Sequence, residues 1–80
     1  MEQEILHILQ EINPYMEIET DTKLLEEILD SMEILLLISE LEDKYQIQIP
    51  LESLQLEDFQ DILSITKFVK KQIEGTQYDN

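Results

Sequence analysis

Between residues 34 and 45 apolar side chains recur at the spacing of one helix face, and Asp30-Ser31-Met32-Glu33 stands just before them. At about 100° per residue, Ile34, Leu37, Ile38, Leu41 and Tyr45 share one sector, the stripe a helix turns toward a core. Asp30 has the side chain an N-cap needs: its carboxylate can accept from the amide of Met32 or Glu33, and Glu33 can return the bond as in a capping box. A helix is therefore expected over 31–45. Ser31 would sit exposed on its first turn, beside uncommitted amide donors and the positive end of the helix dipole, a good seat for a phosphate ester. Taken alone, Asp-Ser-Met is also what an ordinary helix start looks like.

The same helix carries a second feature. Met32 and Leu36 lie one turn apart on the side away from the stripe, Leu35 falls near its edge, and Glu33, Glu40 and Asp43 lie around them. Leu35 is equally compatible with burial and exposure. Met32 and Leu36 are harder to bury, and an exposed apolar pair rimmed by carboxylates suits a transient partner surface, with the charges steering a basic partner.

Around this helix the chain reads as three further pieces. Residues 2–11 form the first helix, with Ile5, Ile8, Leu9 and Ile12 at i, i+3, i+4, i+7 and Asn13-Pro14 as its stop. His7 points about 200° away from Ile5 and is read as a solvated surface residue. Residues 14–30 make a connection that is long for so small a domain unless it packs or functions. Leu24 and Leu25 are expected to begin a short helical turn that pins it to the core. The carboxylates of Asp21, Glu26 and Glu27 lack the alternating ligands and central glycine of a calcium loop. Ile47-Gln48-Ile49-Pro50 reads as an extended connector burying both isoleucines. A short helix is expected at 56–59 with Phe59 buried, then a last helix over 62–74 capped by Asp61, with Ile62, Ile65, Phe68, Val69 and Ile73 facing inward. Gly75, the sole glycine, is expected to stop it, with Lys70 and Lys71 matching the negative end of its dipole. The fold class is thus all-α, a small four-helix bundle of three longer helices and one short one. Residues 1–75 form a single domain and 76–80 a flexible tail.

Composition narrows the function. Nineteen acids against five lysines give a formal charge of −14, which repels nucleic acid and anionic lipid and favours basic proteins. An apolar fraction of 42% argues against disorder. The absence of cysteine rules out disulfides and cysteine-type zinc sites, so any thiol chemistry must come from a cofactor. No apolar run is long enough to span a bilayer, and the acidic N-terminus lacks the basic start of a signal peptide. The expectation is a soluble, cytoplasmic monomer without membrane insertion. A lone histidine and scattered carboxylates without a paired base make no catalytic or metal site, so an enzyme is not expected.

Order and spacing from about Ile5 to Ile73 resemble the acyl carrier protein superfamily. The resemblance rests on Thr20-Asp21-Thr22-Lys23-Leu24-Leu25, Asp30-Ser31-Met32, the run from Leu41 to Pro50, and the later Phe59, Ile62, Ile65, Phe68 and Val69. In that family the serine of an Asp-Ser-Leu/Met motif carries a 4′-phosphopantetheine arm, and Ser31 is the matching position. The resemblance implies that a phosphopantetheinyl transferase joins the arm from coenzyme A to Ser31. The arm's thiol then holds an acyl or aminoacyl group as a thioester, placed there by a loading ligase and taken up by a downstream transferase or synthase. It also implies that Asp30 holds the helix start, while Met32, Glu33, Leu36, Glu40 and Asp43 form the docking face. Many fatty-acid carriers have Gly, Leu and an acid where this chain has Ile28, Met32 and Leu36. The Leu-Asp-Ser-Met wording is closer to D-alanyl carriers and stand-alone carriers of specialised pathways. The rival reading is an acidic helical binding module, an adaptor or inhibitor without an arm.

Overall fold

The computed structural model describes residues 1–78, leaving aside the side chains of Ser53 and of residues 76–78. Four α-helices succeed one another as α1 (Glu2–Ile12), α2 (Leu24–Glu27), α3 (Ser31–Tyr45) and α4 (Ile62–Tyr78). Two 3₁₀ turns, Leu51–Ser53 and Leu56–Phe59, lie between α3 and α4, and there is no strand among the described residues. The all-α bundle of three long helices is the expected architecture, and α3 has the expected bounds. The segment at 56–59 is a single 3₁₀ turn, and the turn at Leu51–Ser53 carries no apolar period by which the sequence could announce it.

Each long helix buries the stripe its spacing defines. Ile5, Ile8 and Leu9 of α1, Leu37, Ile38 and Leu41 of α3, and Ile62, Ile65 and Val69 of α4 are buried together. The segments between them add to it: Ile18, Leu24, Ile28, Leu29, Ile47, Ile49 and Phe59 join the same core. The long loop is therefore pinned to the core at Ile18, Leu24, Ile28 and Leu29, while Tyr15 stands in solvent. Its anchor is α2, where Leu24 is buried and its amide donates to the Gln60 carbonyl at 2.8 Å. That bond ties the approach to Ser31 to the 3₁₀ turn holding Phe59. Behind it, the Asp61 carboxylate accepts from the Ser64 amide at 2.8 Å, the cap expected for α4.

α1 packs against both α3 and α4. Its N-terminal end meets the C-terminal end of α3, where the Tyr45 hydroxyl donates to the Glu4 carboxylate at 2.8 Å and the Lys44 ammonium lies 3.8 Å from the same group. Burial, then the hydrogen bond to Glu4 and its charge, raise the Tyr45 phenol above its ordinary pKa of 10.0. The folded state thus favours neutral Tyr45. Its contribution is whole below about pH 10 and declines as the pH rises further, because the unfolded chain can then release a proton the folded chain retains. Melting curves taken from neutral to alkaline pH should show wild type losing more of its midpoint above about pH 10 than Tyr45→Phe does. Parallel losses in the two proteins would contradict this.

The end of α4 departs from expectation. The helix continues through Gly75 to Tyr78, so Gly75 does not stop it and Lys70 and Lys71 are not in its last turn. Gly75 does not adopt a positive φ, and a glycine stop uses the left-handed backbone that glycine permits but does not impose. That backbone occurs instead at Gln46, φ 54°, which ends α3 as its amide donates to the Glu42 carbonyl. Asp79 and Asn80, the last residues of the expected tail, lie outside the described residues. A Cβ at Gly75 would meet nothing within 4 Å. Gly75→Ala should therefore raise stability, by up to about 1 kcal/mol, as read by denaturant unfolding. A loss would mean that the position needs glycine after all.

Candidate functional site

Asp30 has extended backbone, φ −97° and ψ −177°, and its carboxylate accepts from the Glu33 amide at 2.9 Å. In return the Glu33 carboxylate accepts from the Asp30 amide at 3.1 Å. This is the reciprocal capping box expected from the sequence. Upstream, Ile28 and Leu29 are buried, so the chain enters the box from a fixed point in the core. Ser31 is then the first helical residue and is exposed. With the Glu33 amide taken by the cap, the amides of Ser31 and Met32 are the remaining first-turn donors that have no helical carbonyl four residues back. A serine hydroxyl, adjacent amide donors and the positive end of a fifteen-residue helix are thus brought together.

The outer face of α3 is apolar where it leaves the cap. Met32 is 69% exposed, Leu36 52% and Leu35 48%. Exposure settles the open position of Leu35. It lies one turn beyond Ser31, and with Met32 and Leu36 it forms a contiguous patch at i, i+3, i+4 spacing. Leu35 is the residue that the sequence left undecided, since a position at the edge of a stripe is buried or exposed according to how the neighbouring helix crosses it. Glu40 and Asp43 are exposed further along the same line of the helix, which brings four of the five expected docking residues together. Glu33 is different: it is half-buried, sits about 100° round the helix from Met32, and is engaged with Asp30.

The single histidine is held in a surface pair. The His7 Nε2 lies 2.8 Å from the Glu11 carboxylate, one turn away on exposed α1 surface. Among the described residues no three His, Cys, Asp or Glu side chains converge as metal ligands, and no helix is long and apolar enough to cross a membrane. Leu36 and Glu40 share a cleft with Ile8, Glu11 and Ile12. The sequence gives no sign of this juxtaposition, which depends on how α1 crosses α3.

Comparison with known proteins adds one finding. A family model described as "Phosphopantetheine attachment site" matches residues 3–69, which run from α1 into the first two turns of α4 and include Ser31. No curated protein and no solved structure matches the chain.

Proposed function

Since the chain belongs to the phosphopantetheine attachment family and is a carrier of a covalent 4′-phosphopantetheine arm, we propose that Ser31 is the attachment residue and that the domain presents acyl or aminoacyl cargo to partner enzymes. The observation that carries this reading is the exposed Ser31 hydroxyl on the first turn of α3, immediately behind a closed capping box. The residues present fit the group. A phosphodiester on Ser31 would lie beside the free amides of the first turn, where a helix end stabilises an anion by about 0.3–1 kcal/mol. When attached, the arm supplies the thiol that holds cargo as a thioester, which a chain without cysteine cannot supply itself.

Carrier domains of this family are generally non-catalytic, and this one is read the same way. Asp30 fixes the backbone from which Ser31 projects. Glu33 closes the cap, so its contribution to partner binding is indirect. Met32, Leu35 and Leu36 offer an apolar seat, and Glu40 and Asp43 orient a basic partner above it. A patch this small suits docking that is weak and quickly reversed, as a carrier visiting several enzymes requires. The partners are a phosphopantetheinyl transferase, a loading ligase and a downstream transferase or synthase, met in the cytoplasm. Ile28, Met32 and Leu36 favour a D-alanyl-type or specialised-pathway carrier over a housekeeping fatty-acid carrier.

Intact mass spectrometry tests the reading directly. After incubation with coenzyme A, magnesium and a broad-specificity phosphopantetheinyl transferase, the chain should gain one phosphopantetheinyl group. A folded chain that gains nothing from any of several transferases would instead favour the armless acidic binding module.

A further inference from the structure

Two clefts open between α1 and α3. One, of about 470 Å³, is lined by Glu4, His7, Ile8, Glu11, Asp43 and Lys44 among others, and includes Glu40. The second, of about 280 Å³, is lined by Ile8, Glu11, Ile12, Leu36 and Glu40. They share Ile8, Glu11 and Glu40, so together they form one groove along the seam of the two helices. At one end the groove has an apolar floor, Ile8, Ile12 and half-exposed Leu36. Towards the other it is acidic, with four carboxylates against one lysine, Lys44, which lies within 3.8 Å of Glu4. Glu4 is further engaged by the Tyr45 hydroxyl, and Glu11 by His7 one turn back. Among the described residues no ion pair engages Glu40 or Asp43, and both are exposed.

The geometry points to this α1–α3 groove as the seat of a basic amphipathic helix from a partner protein, so that α1 takes part in docking alongside α3. The inference rests on the carrier reading for the partner's purpose, although its test does not. Charge complementarity selects the occupant: lysine or arginine side chains face Glu11, Glu40 and Asp43, while an apolar side chain of the same segment rests on Ile8, Ile12 and Leu36. An anionic ligand would meet repulsion at every one of these carboxylates. A small apolar ligand would leave them without counter-charge. Because Leu36 and Glu40 belong to both the groove and the outer face of α3, a segment in the groove reaches the face that carries Met32 without covering Ser31.

The probe is a synthetic helical peptide of leucine and lysine with its leucines on one stripe, titrated into the isotope-labelled chain and followed by amide chemical shifts. Shifts are expected on both walls, at His7, Ile8 and Glu11 as well as Leu36 and Glu40. Glu11→Lys should weaken binding about fivefold to tenfold. Glu26→Lys, an equal charge change at an exposed residue of α2 that lines a different cleft, should leave it nearly unchanged. Glu11 is largely exposed, so its replacement leaves the fold intact. Equal weakening by the two variants would reduce the effect to net charge and overturn the proposal. So would shifts confined to Met32 and Leu35 with α1 silent, or no binding. The titration uses the chain without an arm, and Ser31→Ala should bind the peptide as the wild type does, so failure here is distinct from failure of the attachment reading.

Discussion

Ser31→Ala should gain no mass under conditions that load the wild-type chain completely, while its stability changes by no more than about 0.5 kcal/mol. The contrast between the two readouts is the content of the prediction. Ser31 is exposed and its side chain takes no part in the capping box, which is closed by Asp30 and Glu33. Alanine at a first helical position keeps the backbone and the cap and removes only the nucleophilic oxygen. Asp30→Ala should behave in the opposite sense. It leaves the hydroxyl in place, costs about 1 kcal/mol as a lost N-cap, and slows loading without abolishing it. Asp30→Asn retains an acceptor for the Glu33 amide and separates the role of the cap from that of the charge. Ser39 is an internal control, since it too is exposed on α3 but lies about two turns in, where the backbone amides are committed to the helix. Full loading of Ser31→Ala would place the arm on another residue and end the assignment.

The features readable from sequence are those set by neighbours within a turn or two. The capping box joins residues three apart, and the stripes of α1, α3 and α4 repeat at three and four, so local geometry alone defines them. The connector holding Ile47 and Ile49 was legible for a related reason, since two buried side chains that alternate require an extended backbone. What was not legible depends on long-range placement. Leu35 lies at the margin of its stripe, and only the position of the rest of the bundle decides that it is exposed. The groove between Ile8 and Leu36 pairs residues far apart in sequence and arises from helix crossing. Gly75 misled for another reason: glycine permits a left-handed helix end, but nothing there requires one, and α4 continues. Conversely, Gln46 adopts that backbone without being glycine, because the chain must turn there for Ile47 to reach the core.

Phe59→Ala should be the most damaging single truncation, costing about 3–5 kcal/mol of folding stability. A domain of this size has on the order of 4–12 kcal/mol in total, so the variant stands near the limit of folding. The Phe59 ring is fully buried and meets the Phe68 ring at a centroid distance of 5.3 Å and a tilt of 55°, a geometry favourable to aromatic pairs. It sits on a single 3₁₀ turn, which has too few hydrogen bonds to persist without its anchor. Through the Leu24 amide and the Gln60 carbonyl, that turn holds α2, and α2 leads into Ile28, Leu29 and the cap of Ser31. Loss of the ring should therefore loosen the approach to Ser31 before it disturbs the seam of α1 and α3. Urea unfolding followed by circular dichroism gives the stability change, and amide hydrogen exchange gives the order of loosening. Under conditions where the variant remains folded, protection should fall first at residues 24–29 and 56–60 while Leu37 to Leu41 stay protected. A cost below about 1 kcal/mol, or uniform loss of protection, would show that the core closes over the missing ring and that the loop is held by other contacts.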